Sequence, residues 1–311
     1  MKQILKRLLE FTLFILILSI VSFTFMKLAP GDPVRSILSV DDVSISEAQI
    51  EELRSELGLD KPVVIQYLHW LYSFIQFDLG HSYMTKQPVV HELLEKLPAT
   101  LQLTIASLVI MMMISVPLGI LSAIYKDSWI DHVSRMFALG GSAIPSFWLG
   151  LLLVQIFSVK LGLLPSMGKG SFLHLLLPSI TLGIAMAAVY VRLIRASLIE
   201  SLGEDFIRSA KSRGYSRRKI FFQLAFRHAL APVINVLGVT IGSLLGGTVI
   251  IEVIFSYPGL GKLVIDSILR RDYPVIQGYI LSMGIIVVIV NLLVDSTHRY
   301  LDPKIRIKGG E

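Results

Sequence analysis

Long runs of apolar residues alternate with shorter polar segments along the whole chain. A helix needs about 20 apolar residues to cross the roughly 30 Å hydrocarbon layer of a membrane, and these runs reach that length. The pattern therefore predicts an all-α polytopic membrane protein with six transmembrane helices. The predicted spans cover approximately residues 8–29, 99–124, 134–160, 175–200, 229–255 and 276–298.

The first apolar run follows three basic residues, Lys2, Lys6 and Arg7, a pattern that also describes a signal peptide. The apolar core of a signal peptide is about 7–15 residues long and ends at small residues. This run is longer and ends in the letters KLAPGDP. We therefore interpret it as a retained span, with a cleaved signal as the alternative.

The composition also indicates a membrane protein. Charged residues make up 17% of the 311 residues and hydrophobic residues 53%, whereas about 25% of a soluble domain is charged. The sequence has no cysteine, which excludes disulfides and thiolate metal sites. The sequence pI is about 9.4, but the basic residues cluster in short loops beside apolar runs. We therefore predict contact with membrane lipid and no nucleic-acid partner.

The distribution of charge predicts the orientation in the membrane, because cytoplasmic loops are enriched in Lys and Arg. Both chain ends are basic, so we expect both in the cytoplasm, and the acidic segment 30–98 then faces outward. Arg270 and Arg271 are a local exception beside Asp266 and Asp272. The terminal basic residues are Lys2, Lys6, Arg7, Arg299, Lys304, Arg306 and Lys308, and the outer acidic residues include Asp32, Asp41, Asp42, Glu47, Glu51, Glu52, Glu56 and Asp60.

Three segments follow from this arrangement. The cytoplasmic N-terminal end and the first span cover residues 1–29, an extracytoplasmic helical segment covers 30–98, and a five-span core covers 99–311. The core contains a basic cytoplasmic loop at about 201–228.

The outer segment is predicted to fold into helices. Ser46 is placed to cap a helix with Gln49 as its capping-box partner, and Gly58 is suited to end that helix. An amphipathic helix begins at Pro62, and the letters PVVHELLEKLP predict one more short helix. Such a segment serves either as a structural cap over the spans or as a docking surface for an outside partner, and both interpretations stay open.

The basic loop contains the letters EDFIRSAKSRGYSRRKIFF. Phe206, Ile207 and Ala210 recur at helical spacing and predict a short helix with a small apolar face. Gly214 suits the left-handed turn that ends a helix, and Ser216 is placed to cap a second helix. Either the basic side chains contact anionic lipid at the interface, or the loop inserts into a groove of another protein, and the apolar face favours the second interpretation.

The letters DFIRSAKSRG followed by HALAPVI resemble the cytoplasmic loop of permease subunits of ATP-binding-cassette (ABC) importers. The whole chain resembles the B-type permease of the dipeptide/oligopeptide/nickel family. This resemblance implies a type I ABC importer permease fold in a bacterial cell membrane. Further matching motifs are LAPGDPV at 28–34, LGLDKPVVIQYLHWL at 57–71, DLGHSY at 78–83, LPATLQL at 97–103, PSFWLGLLL at 145–153, LLGGTVIIEVIFSYPGLGKL at 244–263, RRDYPVIQG at 270–278 and NLLVDSTHRYLDPKIR at 291–306.

The resemblance implies a set of partners. In the family, the short helix before the glycine couples the permease to a groove of a cytoplasmic ATPase subunit. The implied partners are a second homologous permease subunit, two cytoplasmic ABC ATPase subunits and an extracytoplasmic solute-binding protein. The widest importer consensus has Glu-Ala-Ala where this chain has Arg208, Ser209 and Ala210. The coupling residues that the resemblance implies are Glu204, Asp205, Phe206, Ala210, Arg213 and Gly214.

The sequence carries no nucleotide-hydrolysis motif of its own. A phosphate-binding loop has the form GxxxxGK[ST], and the letters GLGKL at 259–263 and GKGS at 168–171 lack that spacing. We therefore predict a non-catalytic subunit without catalytic residues or cofactor. The histidines are scattered without an i,i+4 pair, so no metal site is predicted, and His174 is the histidine best placed to contact a substrate.

Two groups of residues within the spans are singled out by their charge. A charge at the depth of Glu252 costs about 2.5–3.5 kcal/mol on insertion scales, so this side chain is expected to face a cavity or a partner. We predict that Glu252, Phe255 and Pro258 form part of the translocation path or its gate. Arg192 and Arg195, at the end of the fourth span, are expected to extend to the cytoplasmic interface.

The sequence thus predicts a permease subunit of an ATP-driven ABC importer that forms the pathway for nickel, metal chelates or short peptides. The short connection from KLGLLPSMGKG to HLLLP favours the nickel-type or small-peptide members. An ATPase-independent secondary transporter or channel is the alternative, but it predicts inverted repeats, and we detect none in the sequence. A membrane-embedded enzyme would need clustered His, Asp or Ser in the spans, and a purely structural membrane partner is a further alternative.

Overall fold

A computed structural model describes residues 2–28, 34–35 and 46–301, and these are almost entirely helical. The predicted all-α membrane fold is confirmed. Short π-helical stretches, Val154–Lys160 and Ile220–Ala225, adjoin two of the helices. The helices are α1 (Lys2–Leu28), α2 (Glu47–Glu56), α3 (Val63–Ile75), α4 (Val89–Ile124), α5 (Trp129–Ala143), α6 (Ser146–Leu153), α7 (Phe172–Gly203), α8 (Asp205–Ser212), α9 (Arg217–Lys219), α10 (Phe226–Ile254), α11 (Leu260–Arg270) and α12 (Tyr273–Leu301).

Long apolar helices occupy the predicted membrane spans. Among the described residues, five helices are long and apolar enough to cross a membrane, and the number rises to six if a bent pair of helices is counted as one span. Six predicted spans therefore correspond to five continuous helices and one broken helix. The continuous segments are Leu9–Leu28, Val89–Ile124, Phe172–Gly203, Arg217–Leu244 and Tyr273–Leu293.

The third predicted span, 134–160, is wrong as a single continuous helix. α5 ends at Ala143, and the axis turns by 101° before the following helix, Ser146–Lys160. The cause is Pro145, because a proline disfavours the helical conformation of the residue before it. Ile144 accordingly adopts an extended conformation, with φ −80° and ψ 122°.

The predicted short helix PVVHELLEKLP is also wrong as a separate element, since α4 runs without interruption from Val89 through the second span. Its 36 residues would extend about 54 Å, well beyond the hydrocarbon layer. Pro98 lies within this helix. Val89 and Leu93 are buried, and a methyl group added at Gly278 would lie 2.5 Å from Val89. This packing holds the first turns of α4 against α12.

The outer segment begins as the sequence predicts. Ser46 accepts a hydrogen bond from the Gln49 backbone N–H, and the Gln49 side chain accepts one from the Ser46 N–H, which completes the capping box. Gly58 follows the helix with φ +64°, and Pro62 precedes α3. Several predicted features lie outside the described residues, namely Asp32, Asp41, Asp42, Lys304, Arg306, Lys308 and most of the LAPGDPV motif.

The chain divides into two compact units, of which the first comprises Met1–Ala99 and Pro258–Val288. Within it, α3 packs on α1 through aromatic rings. The ring centroids of Phe23 and Tyr67 lie 5.3 Å apart in an edge-to-face arrangement, and the Tyr67 hydroxyl lies 2.9 Å from the Ser19 hydroxyl. These contacts hold the amphipathic helix α3 against the last turns of the first span.

Asp272 connects the start of α12 to the loop before α4, within the same unit. Its carboxylate accepts hydrogen bonds from the Ser82 hydroxyl and from the backbone N–H of Tyr83, at 3.0 Å. The Asp272 side chain is almost completely buried. Arg271, just before it, has φ 59°, so the helix α11 ends in a left-handed residue that turns the chain into α12.

The second unit comprises Thr100–Tyr257 and Ile289–Glu311, and α7 lies at its centre. Small residues let neighbouring helices approach α7 closely, as is typical of membrane helix packing. A methyl group added at Gly141 would lie 2.8 Å from Ala188, and one at Gly183 would lie 2.6 Å from Ile110. α5 and α4 are thereby packed on two sides of α7.

Candidate functional site

The basic loop folds as predicted into a short helix, a turn and a second helix. Glu204 precedes α8 in an extended conformation, and Arg213 follows it. Gly214 then adopts φ +77°, a left-handed conformation that favours glycine. Beyond the turn, the Ser216 hydroxyl accepts a hydrogen bond from the Lys219 N–H and caps α9.

The apolar face of α8 packs against its own chain, which corrects the prediction that Phe206, Ile207 and Ala210 present one outward face. Ile207 and Ala210 are buried in a cluster with Ile220 and Ala225. Phe206 is exposed, and its ring centroid lies 5.2 Å from that of His228. The correction has a physical reason, because an eight-residue helix gains a defined position only by burying part of its surface.

The exposed face of α8 is charged. The side chains of Asp205 and Arg208 are 94% and 77% exposed and form an ion pair at 3.3 Å. Exposed pairs of this kind contribute about 0–1 kcal/mol, so both charges are available to another protein. Glu204, Lys211 and Arg213 are also exposed. α8 therefore has a buried apolar side and an open charged side.

A hydrogen bond and a buried cluster join α8 to the helices on either side of it. The Ser201 hydroxyl, near the end of α7, donates to the Ala225 carbonyl at 3.0 Å. Leu202 and Leu224 pack on the cluster around Ile207. The loop is therefore anchored at both ends, to the end of α7 and to the π-helical stretch that leads into α10.

The structure brings Glu252 and Phe255 together in the core of the second unit. Glu252 is fully buried, and Thr100 donates a 2.7 Å hydrogen bond to its carboxylate. The Phe255 carbonyl accepts a 2.8 Å hydrogen bond from the Gly168 N–H. Pro258 belongs to the first unit and is partly exposed. Glu252 thus contacts Thr100 of its own chain, whereas the sequence led us to expect a cavity or a partner, and its role in the path or gate stays a prediction.

Comparison with known protein families assigns the chain. Residues 115–307 match the family described as "Binding-protein-dependent transport system inner membrane component". Residues 1–104 match the corresponding N-terminal family. The chain belongs to this family. It is an inner-membrane permease subunit of an ABC importer, so the predicted family resemblance is confirmed.

Curated relatives match the permease along its whole length. The glutathione transport system permease protein GsiC of Escherichia coli strain K12 is 40% identical over 309 residues, which cover 99% of this chain and 100% of the relative. The protein of the same name from Pectobacterium atrosepticum is 41% identical over 303 residues, which cover 97% of this chain and 98% of the relative.

Solved structures support the fold of the permease. A chain of the MetNI methionine ABC transporter, in an inward-facing conformation, superimposes with a TM-score of 0.56 at 18% identity and covers 68% of the permease and 96% of its own length. A chain of an amino acid ABC transporter superimposes with a TM-score of 0.54 at 18% identity. It covers 68% of the permease and 94% of its own length.

Sequence reasoning missed an ion pair inside the permease. Arg195 was expected at the cytoplasmic interface, but its guanidinium donates to both carboxylate oxygens of Asp131, which is fully buried. The Ser122 hydroxyl donates to the same carboxylate at 2.5 Å. Arg192 is exposed. The sequence does show an acidic residue at the start of α5 and a basic residue on α7. Their spacing along the chain does not reveal that the two side chains form an ion pair.

His174 has a local partner. Its Nδ1 lies 3.1 Å from the Ser171 backbone nitrogen, as part of a capping box at the start of α7. Within the part of the chain that the structure describes, no three His, Cys, Asp or Glu side chains lie close enough together to hold a metal ion. The His174 side chain thus forms part of the N-terminal cap of α7, and its contact with a substrate stays a prediction.

Proposed function

We propose that the permease forms one half of a translocation pathway and that a second homologous permease subunit completes it. Two cytoplasmic ABC ATPase subunits provide the energy, and an extracytoplasmic solute-binding protein delivers the substrate. The proposal is carried by the structure of α8, whose charged side is open while its apolar side is anchored to the chain.

In this proposal, α8 inserts into a groove of an ATPase subunit. Glu204, Asp205, Phe206 and Arg213 contact the groove, whereas Ala210 attaches the helix and Gly214 forms its turn. When ATP binding draws the two ATPases together, α8 moves with them and displaces the ends of α7 and α10. The two permease subunits then rock between states that open to opposite sides of the membrane.

The proposed orientation places both termini in the cytoplasm, because the chain ends and the loop 201–228 are rich in basic residues. The segment 30–98 then lies outside the cell membrane and serves as the docking surface for the solute-binding protein. Residues 99–311 provide the core of the pathway. The exposed acidic side chains on α2, Glu47 and Glu51, support a role in recognition.

For the substrate we propose a short peptide of the size of glutathione. The support comes from relatives of about 40% identity that are named glutathione transport system permeases and that match over their whole length. Glu252, Phe255 and Pro258 are proposed to contribute to the gate of the pathway. Glu252 is the acidic side chain that lies deepest in an apolar run, where a charge without a function is costly.

Two measurements test the proposal. A tagged permease is expected to co-purify with two ATPase subunits and a second permease. A chain that purifies alone and transports without nucleotide would instead support a secondary transporter.

A strain that lacks the gene is expected to lose ATP-dependent uptake of labelled glutathione or dipeptide. Loss of labelled nickel uptake with unchanged peptide uptake would contradict the peptide assignment.

A further inference from the structure

The first compact unit contains a cavity of about 700 Å³, and the function proposed above does not name an occupant for it. One wall is a face of α3, where Gln66, His69, Trp70 and Ser73 recur at helical spacing. The last turns of α1 and the first turn of α12 complete the lining. A pocket of this size accommodates a small molecule or the headgroup of a lipid.

The lining contains more lysines than carboxylates. Lys27, Lys61 and Lys86 line the cavity, and Lys27 also donates a hydrogen bond to the Gln66 side chain. The carboxylates in the lining are Glu56 and Asp78, and Asp78 already accepts a hydrogen bond from the Gly80 N–H. The lysines outnumber the carboxylates, so the cavity attracts an anion.

Buried hydrogen-bond donors in the lining lack acceptors. The Nε2 of Gln277 and the Nε1 of Trp70 are both inaccessible to solvent and have no hydrogen-bond partner among the described residues. Gln277 as a whole is only 5% exposed. A buried donor without a partner costs about 1–3 kcal/mol, so both side chains would gain from a small rotation that brings these donors to an acceptor in the cavity.

The cavity adjoins the end of the first candidate span. Lys27 is in the last turn of the first span, and Phe23 and Met26, one turn earlier, contribute an apolar part of the lining. The opposite face of α3 points away from the cavity and carries apolar and aromatic side chains that the protein does not bury. These are Val64, Leu68, Tyr72 and Ile75. Such a face is typical of a helix that lies in the membrane interface.

We propose that this cavity binds the headgroup phosphate of an anionic phospholipid. The phosphate lies among the lysines and accepts hydrogen bonds from Trp70 and Gln277, and the acyl chains leave past Phe23 and Met26 into the bilayer. The apolar face of α3 keeps the cavity at the level of the headgroups. An acidic segment of a partner protein would satisfy the charge but not the apolar part of the lining beside the span.

Trp70 allows a direct test because the chain has three tryptophans, and the other two, Trp129 and Trp148, lie in the second unit. In a Trp129→Phe, Trp148→Phe background, the full-length permease in detergent is titrated with brominated phosphatidylglycerol or brominated phosphatidylcholine. We expect the quenching of Trp70 to be saturable. Half-maximal quenching should require a mole fraction of phosphatidylglycerol about tenfold lower than the mole fraction of phosphatidylcholine. Equal quenching by the two lipids would show ordinary annular contact and overturn the proposal.

Variants distinguish the site from general attraction to the membrane. Lys86→Gln and Lys27→Gln are each expected to reduce the preference for phosphatidylglycerol several-fold, and Lys86 is exposed, so its replacement does not threaten folding. Lys169→Gln, in the second unit, is the matched control and should leave the preference unchanged. Inorganic phosphate and a polyglutamate peptide are added as competitors at equal charge. If either competitor abolishes the quenching, the cavity binds a free anion or a protein segment, and the lipid assignment is overturned.

Discussion

Arg195 and Asp131 form a bidentate ion pair, with Nε to Oδ1 at 2.6 Å and Nη2 to Oδ2 at 2.7 Å. The pair joins α5 to α7, and the Ser122 hydroxyl adds α4 to the same carboxylate. Asp131 is fully buried, so its charge depends on these partners. Three helices of the second unit therefore converge on one carboxylate.

Replacing Arg195 by Met is expected to destabilise the permease by about 3–5 kcal/mol, because the charge of Asp131 then remains buried without its main partner. The measurement is thermal unfolding of the purified protein in detergent. Arg135→Met is the control, because the Arg135 Nε lies 3.8 Å from the Asp131 Oδ1 and its side chain is 43% exposed. An Arg195→Met protein as stable as the control would show that the pair contributes little.

Replacing Gly214 by Val is expected to impair coupling to the ATPases. A branched residue resists the φ of +77° at this position by about 1–2 kcal/mol, so the turn after α8 shifts. The space around Gly214 is open, so the effect arises from the backbone alone. Substrate-stimulated ATPase activity of the assembled importer should fall while membrane insertion is unchanged.

Two further substitutions make this test specific. Gly214→Asn should retain most of the stimulation, because asparagine tolerates the left-handed conformation better than valine. Gly203→Val, at the end of α7, also introduces a side chain into open space but without a positive φ. If Gly214→Val and Gly203→Val behave alike, the turn has no special role in coupling.

Glu252 is expected to matter for transport through the hydrogen bond that it accepts from Thr100. Glu252→Ala removes this acceptor and leaves a void in the core, so uptake should fall at least about tenfold. Glu252→Gln keeps an acceptor oxygen and should retain more of the uptake. Glu200→Ala, at an exposed position, is the control. Normal uptake by the Glu252→Ala protein would remove Glu252 from the proposed gate.

Tyr83 is expected to make stability depend on alkaline pH. Burial and, to a smaller extent, the neighbouring charges of Asp272 and Tyr273 together raise the pKa of Tyr83 from 10.0 to about 12. The folded protein therefore holds the phenol proton more tightly than the unfolded chain does. This contribution, about 2–3 kcal/mol, is complete below pH 10 and is lost as the pH rises from about 10 to 12.

The measurement is thermal stability against pH, compared between the wild-type protein and Tyr83→Phe. The variant should lose less stability than the wild type between pH 10 and 12. Tyr72→Phe, at a position that is 64% exposed, is the control and should follow the wild type. Identical curves for wild type and Tyr83→Phe would contradict the burial of this phenol.

Local features were predictable from the sequence because they depend on neighbouring residues. The capping box of Ser46 and Gln49 and the turn at Gly214 both involve groups within a few positions of each other. The apolar runs also predicted the spans, since length and hydropathy alone decide whether a helix can cross a bilayer.

Tertiary packing decided the features that the sequence did not predict. Pro98 suggested a helix boundary, but the burial of Val89 and Leu93 keeps α4 continuous. Pro145, in contrast, breaks the third span. Pro98 and Pro145 each suggest a helix boundary from the sequence, but only Pro145 interrupts a helix in the structure. The contact of Arg195 with Asp131 spans 64 positions, and no periodicity connects residues so far apart.

The two sides of α8 are subject to separate constraints during evolution. Ile207 and Ala210 can change only together with the residues that enclose them, whereas Asp205 and Arg208 project from the surface and can be exchanged without disturbing the core. Under the proposed coupling, a lineage can therefore acquire a new motor subunit by altering a few surface charges, while the buried attachment of α8 is inherited unchanged.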